Sequence, residues 1–337
     1  MKRIEYKRLS TLELKRFKVQ FEMLFKKDLA DSVKTGVVVP GLETRWADWK
    51  KAHDRKGTIK ETIKDLLTAN FHQLLDVYER FMALGIPEEV KNSKNKWVRN
   101  PDLKELDDIF DYSHKYDDRI ARFFNVWSEK LGITSCYYCE MAYINTYIAD
   151  LKKGRKVILK RQFDLDHFLP KAKCPCLGLS LYNFVPSCQV CNSRIKGDRM
   201  PRGLAPKDYE LISPSSDKAD FDNNLHFRLR MHPKGKSLLA GRYIYVRANS
   251  PYKEYANFFH LGERYSFHKK EAFRLKRLKQ RYPGSKIKKI ANLLHYRPSK
   301  VYDDIFNEKY LYQEGRCFEK FTRDMLECVG GKVKEMQ

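Results

Sequence analysis

Two cysteine pairs, Cys136-Tyr137-Tyr138-Cys139 and Cys188-Gln189-Val190-Cys191, stand with 48 residues between them. Two thiolates three positions apart can bind one tetrahedral ion, and two such knuckles complete a four-cysteine site. The spacing predicts a structural Zn2+ on Cys136, Cys139, Cys188 and Cys191; the alternative is a set of buried or redox-active thiols. Between the pairs run Phe163-Asp164-Leu165-Asp166-His167-Phe168-Leu169-Pro170-Lys171 and Leu181-Tyr182-Asn183-Phe184-Val185-Pro186-Ser187, and Asn192-Ser193-Arg194-Ile195-Lys196-Gly197 follows the second. Taken singly, such residues are ordinary: a lone histidine is usually a structural one, and Asp or Asn often caps a turn. Gathered by one metal staple, they are the groups that phosphodiester hydrolysis needs. Imidazole can take a proton from water near pH 7, and carboxylate and amide oxygens suit a hard divalent cation.

An Asp-His pair, an Asn 16 residues on and an Asn 9 residues after that, set between two C-x-x-C knuckles, resemble the HNH (ββα-metal, His-Me finger) endonucleases over about residues 133–200. Through Asp166-His167-Phe168-Leu169-Pro170-Lys171, Ser187-Cys188 and Lys196-Gly197 the chain is more loosely similar to HNH proteins of bacterial anti-phage defence, such as those of Septu-type systems. The resemblance implies a hairpin, a loop and a crossing helix that hydrolyse phosphodiester bonds in DNA. It makes His167 the general base and Asn183 the residue that orients His167 and braces the loop. Asp166 and Asn192 would hold one Mg2+ or Mn2+, and Lys171, Arg194 and Lys196 would grip flanking phosphates. Asn192 stands where many members carry His; an Asp/Asn pair favours a hard ion, so zinc is assigned to the thiolates. Two other readings stay open: a zinc-stapled nucleic-acid-binding protein without catalysis, and an HNH ribonuclease. Such defence nucleases often work beside an ATPase; this chain has no G-x-x-x-x-G-K-[ST] phosphate loop, so that ATPase would be a separate protein.

The remaining cysteines read differently. Cys174 and Cys176 are expected to be loop-packing thiols, with a place in the zinc site or a second ion as alternatives, and Cys317 and Cys328, 11 apart in an expected helix, to be core residues. His53, His72, His226 and His260 have no comparable company and read as structural. Tyr137, Tyr138 and Tyr143 are expected to pack around the knuckle rather than stack on bases.

The chain has 337 residues and a formal net charge of +24, with 42% hydrophobic and 13% aromatic residues. That apolar content excludes a disordered polycation, and so basic a folded chain most often meets a polyanion. The charge is uneven: residues 201–337 carry +13, and Arg264 to Arg297 holds 12 basic residues against Glu271 alone. A second cluster is Lys152, Lys153, Arg155, Lys156, Lys160 and Arg161. No apolar run reaches the roughly 18 residues of a membrane span, and Met1-Lys2-Arg3-Ile4-Glu5-Tyr6-Lys7-Arg8 is not followed by an apolar stretch. A cytoplasmic protein with no membrane partner is expected.

The elements that must position these groups read as α+β, mostly α. Residues 1–130 are predicted to be a helical region, 131–200 the zinc-stapled core, and 201–337 a short hairpin followed by basic helices. Ser10 and Glu13 form a capping box ahead of the stripe Leu14, Phe17, Phe21, Leu24 and Phe25. Ile59, Ile63, Leu67, Phe71, Leu74, Tyr78 and Phe81 make one longer stripe, stopped by Gly85-Ile86-Pro87. Trp97–Asp102 reads as loop, and Tyr116–Leu131 as a third helix with Ile120, Phe123, Phe124 and Trp127 on one side. Val157–Leu159 and Phe163–His167 read as short strands. Leu225, Phe227, Leu229 and Met231 alternate with polar residues as a half-buried strand that Tyr243–Val246 pairs with, across a turn at Pro233-Lys234-Gly235. From Phe267 the basic helix returns, broken at Pro283-Gly284.

Overall fold

The structure, a computed structural model, describes residues 1–35, 37–150, 158–230, 244–306 and 316–330. Lys152, Lys153, Arg155 and Lys156 of the second basic cluster, with Val157, Met231, Tyr243 and the Pro233-Lys234-Gly235 turn, lie outside those residues. The fold is α+β and mostly α, its described strands paired two by two into antiparallel hairpins. The chain divides into two compact units, one of residues 3–133 with 144–219, the other of residues 1–2, 134–143 and 220–337.

In the first unit the capping box forms as expected: Ser10 Oγ accepts from the Glu13 amide and the Glu13 carboxylate accepts from the Ser10 amide. The helix Thr11–Met23 that follows buries Phe17 and Phe21, with Phe25 just beyond its end. The long stripe is two helices, Ile63–Thr68 and Phe71–Met82. The break comes from Asn70, whose side chain accepts from the Gln73 amide at 3.0 Å while the Gln73 side chain accepts from the Asn70 amide at 2.9 Å. An N-cap residue has extended backbone, so this capping box ends the preceding helix, which a Thr62–Asp65 box had opened past Ile59. The chain leaves Met82 through Gly85, whose φ of +68° is the left-handed region that glycine tolerates.

Trp97–Asp102 is not loop. Glu89–Lys91 and Trp97–Arg99 form a hairpin, and Pro101–Ile109 is a helix with Asn100 as its cap and proline at its first position. A helix over Leu42–His53 stacks Trp46 on Trp49 with ring centroids 5.4 Å apart. The expected third helix spans Asp117–Trp127, entered through a wide π-type turn at Tyr112–Tyr116, and buries Ile120, Phe123, Phe124 and Trp127. Two further hairpins follow: Thr146–Asp150 with Ile158–Arg161, and Asp164–His167 with Phe184–Ser187. The second leads into a π-type helix over Val190–Lys196.

The second unit carries the predicted alternation: Leu225, Phe227 and Leu229 are buried, His226 and Arg228 partly exposed, and the strand pairs with Ile244–Ala248. Lys269–Arg281 and Gly284–Leu294 are the basic helices, broken at Pro283 as predicted. Tyr255 and Tyr265 hydroxyls donate to the carbonyls of Tyr138 and Cys139 at 2.9 and 2.6 Å, and Tyr138 stacks on Phe259. Tyr137 and Tyr138 are packing residues, as expected, but Tyr143 is 64% exposed and does not pack around the knuckle. The expectation for Cys317 and Cys328 also fails: Cys317 precedes the helix Glu319–Gly330 and is partly exposed, while Cys328 lies on that helix's exposed side.

Candidate functional site

The Sγ atoms of Cys136, Cys139, Cys188 and Cys191 all lie within 4.8 Å of one another. Tetrahedral zinc with Zn–S bonds of about 2.3 Å needs sulfurs about 3.8 Å apart, so the four thiols fit that ion. Cys174 and Cys176 are not in this group; they are wholly buried, their sulfurs 3.4 Å apart, and burial pushes the Cys174 thiol well above its ordinary value. Packing thiols in a loop is the description that fits them.

The strand Asp164–His167 pairs antiparallel with Phe184–Ser187 in the register Asp164–Ser187, Leu165–Pro186, Asp166–Val185, His167–Phe184. Residues 168–183 form the loop between them. Asn183 organises that loop with a single amide: its Oδ1 accepts from the Leu169 amide at 2.8 Å, and its Nδ2 donates to the Leu169 and Leu177 carbonyls at 3.0 and 3.1 Å. These bonds go to the loop backbone and not to the His167 ring, so bracing is the role the structure gives Asn183.

His167 is 6% exposed, its ring 4.7 Å from that of Tyr112 and 4.8 Å from that of Phe184. Its Nε2 lies 2.9 Å from the Gly178 carbonyl, which can only accept, so Nε2 carries the hydrogen and Nδ1 the lone pair. Burial among these rings pushes the imidazole down to about 3, with Lys171 and Lys196 acting the same way against the Gly178 carbonyl. The ring is therefore neutral at pH 7, further from titration than an ordinary histidine.

Asp166 is buried, and its two oxygens lie 3.2 and 3.1 Å from Lys196 Nζ. The same ammonium donates to the His167 carbonyl at 2.6 Å and the Gly197 carbonyl at 3.3 Å. Lys196 is 2% exposed, so it is a buried counter-charge and not the phosphate grip expected of it. Asn192 Nδ2 donates to Asp164 Oδ2 at 3.1 Å, leaving its Oδ1 as the oxygen available to a cation. Lys171 Nζ donates to Ser113 Oγ at 3.0 Å beside the Tyr112 ring, and Arg194 is exposed.

Asp166, His167, Lys171 and Asn192 line one open cleft of about 270 Å³, with Tyr112, Ser193 and Asp198 among its other walls. The cleft thus brings together a carboxylate, an amide and a neutral imidazole. These oxygens suit a hard divalent ion, which would share Asp166 with the Lys196 ammonium. Asp164 and Tyr112 join the site without having been singled out by spacing. The first was legible from alternation, which sets Asp164 and Asp166 on one face of the strand; the second comes from a turn more than fifty residues upstream. The Gly178 carbonyl left no sequence signal, since any residue supplies one.

No family model, no curated protein and no solved structure matches this chain.

Proposed function

We propose that this chain is a metal-dependent endonuclease of the HNH type that hydrolyses phosphodiester bonds in DNA. The observation that carries the reading is the His167–Gly178 contact. A ring with Nε2 committed to a carbonyl has one nitrogen left to accept a proton, and that ring lines a cleft shared with Asp166 and Asn192. In this reading His167 Nδ1, neutral at pH 7, takes the proton of the attacking water, whose acidity a cation held by Asp166 and Asn192 would raise to match so weak a base. Asp166 and Asn192 would hold Mg2+ or Mn2+, which when bound relieves charge on the scissile phosphate and the departing oxygen. Asn183 fixes the loop that supplies Gly178, and Lys196 keeps the buried Asp166 compensated. Lys171, at the cleft wall, and Arg194, exposed on the following helix, would meet phosphates in this reading. The zinc-fitting thiols tie down the strand–helix junction at Cys188 and Cys191. A role in bacterial defence beside a separate ATPase rests on the sequence resemblance alone.

The test is supercoiled-plasmid cleavage with Mg2+ or Mn2+, comparing wild type, His167→Ala and an EDTA control. Nicking by the wild type that both controls abolish is the expected result. Cleavage that survives His167→Ala overturns the assignment of the base, and no cleavage by a folded, zinc-loaded protein overturns the DNA nuclease reading.

A further inference from the structure

The hairpin at residues 89–99 carries Lys91, Lys94, Lys96 and Arg99 against the single acid Glu89. Trp97 on it is 64% exposed, whereas Trp46, Trp49 and Trp127 are 1%, 1% and 5% exposed. A tryptophan exposed on an element this basic offers a flat aromatic face with cations around it. Lys91 faces Trp97 across the hairpin, its Nζ 5.5 Å from the ring centroid, so a cation stands beside a flat apolar surface. The turn is built, not loose: the Asn92 side chain accepts from the Lys94 and Lys96 amides at 2.9 and 3.0 Å, and Asn95 takes the left-handed conformation.

The base of the hairpin is fastened to the loop that holds His167. Arg99 donates to the Ala172 carbonyl at 2.6 Å and to Asp107 at 2.9 Å, and Lys173 pairs with Glu88. Arg99, Lys171, Tyr112 and Gly178 line a cleft of about 370 Å³, and two of them, Tyr112 and Lys171, also line the cleft of His167. Trp97 lies two residues from Arg99, about 7 Å along the strand.

We infer that this hairpin is a clamp for single-stranded DNA running from the cleft, with an unpaired base stacked on Trp97 and its phosphates met by Lys91, Lys94 and Lys96. The identity of the polyanion as DNA rests on the nuclease reading; the stacking and charge do not. Base faces are hidden inside a duplex, so an exposed ring of this kind takes bases only from an unpaired strand. Stacking of this type is indifferent to base identity.

The experiment is acrylamide quenching of tryptophan fluorescence with and without an oligo(dT) of about fifteen nucleotides, the length of a typical single-strand site. With the other three tryptophans buried, the accessible emission belongs to Trp97. The oligonucleotide is expected to protect that emission while a blunt duplex of the same length does not. Trp97→Phe should abolish the accessible component, and Trp97→Ala, at an exposed position, should weaken oligo(dT) binding about tenfold. Binding without protection, or no binding, overturns the clamp; tighter protection by oligo(rU) overturns its assignment to DNA. Plasmid nicking separates this inference from the reading it rests on. Nicking with an unprotected Trp97 removes the clamp alone, and protection without nicking by any form removes the nuclease while supporting the clamp.

Discussion

Lys196 Nζ lies 3.1 Å from Asp166 Oδ2, and the two side chains are almost wholly buried. Ammonium and carboxylate are each costly to bury alone, and the further bonds of Lys196 to the His167 and Gly197 carbonyls complete its coordination. The pair therefore links the C-terminal end of the site helix to the strand that carries His167.

Removing one partner strands the other. Lys196→Met is expected to cost about 3–5 kcal/mol, and Asp166→Asn combined with it less than the sum of the two single changes. Chemical denaturation of the four proteins checks this; a Lys196→Met chain as stable as the wild type would show that the ion pair contributes nothing to folding.

The thiol cluster predicts one zinc ion per chain. Cys188→Ser should release it, lower the melting temperature and raise proteolytic sensitivity around residues 133–200, because the energy of binding a structural metal is folding energy. Metal analysis of the purified protein decides it: wild type free of zinc yet equally stable would exclude the site. Cys174→Ser, outside the cluster, should keep its metal.

Asp54 offers a pH-dependent test of the helical unit. It is 5% exposed and its carboxylate accepts from the Ile59 amide, the Thr58 amide and the Thr58 hydroxyl. Burial pushes this carboxyl up, but those bonds prevail and hold it below its ordinary value of 3.8. A lowered folded pKa means stability that is complete above the unfolded value and lost as the pH falls through the folded one. Asp54→Asn is expected to cost about 1–3 kcal/mol at pH 7, and the gap in melting temperature from the wild type should narrow below about pH 4. A gap that stays constant into acid would mean that the charge of Asp54 is irrelevant.

The helices Lys269–Arg281 and Gly284–Leu294 carry an exposed basic surface that includes Lys269, Lys270, Arg277, Lys286, Lys288 and Lys289. If DNA docks there, reversing Lys286, Lys288 and Lys289 to Glu should flatten the plot of log affinity against log salt by about 0.9 for each phosphate no longer neutralised. An unchanged slope would remove this surface from the interface.

The legible part of the fold was the part governed by local rules. The Ser10 capping box, the Asp117–Trp127 stripe, the alternating Leu225–Leu229 strand and the stop at Pro283 each follow from spacing within one element. Asn70 shows how such reading fails: apolar spacing runs unbroken from Ile59 to Phe81, but capping boxes at Thr62 and Asn70 start two separate helices and leave Ile59 ahead of both. Pro101 opens a helix because its missing amide is one that no helix start needs, although a proline among polar residues reads as loop. At the site, the resemblance carried by the phrases between and after the cysteine pairs named His167, Asp166, Asn183 and Asn192, all of which fall within one hairpin, its loop and the helix that follows. Partners chosen in three dimensions, such as Gly178 for His167 and Asp166 for Lys196, were out of reach, and so was the exposure of Trp97.

The Asn183 amide behaves as a peptide group made of side-chain atoms. Facing Leu169, it accepts from that residue's N–H and donates to its C=O, the exchange that a residue on a neighbouring strand would make. The ladder of Asp164–His167 with Phe184–Ser187 therefore gains a counterfeit rung beyond its last backbone pair. Strands fray from their ends, and without that rung the last bond would be the one that the Phe168 amide donates to the Asn183 carbonyl, a single residue past His167. With it, the fraying point moves further into the loop, and the Leu169 amide becomes one that should exchange with solvent deuterium as slowly as the interior of the hairpin.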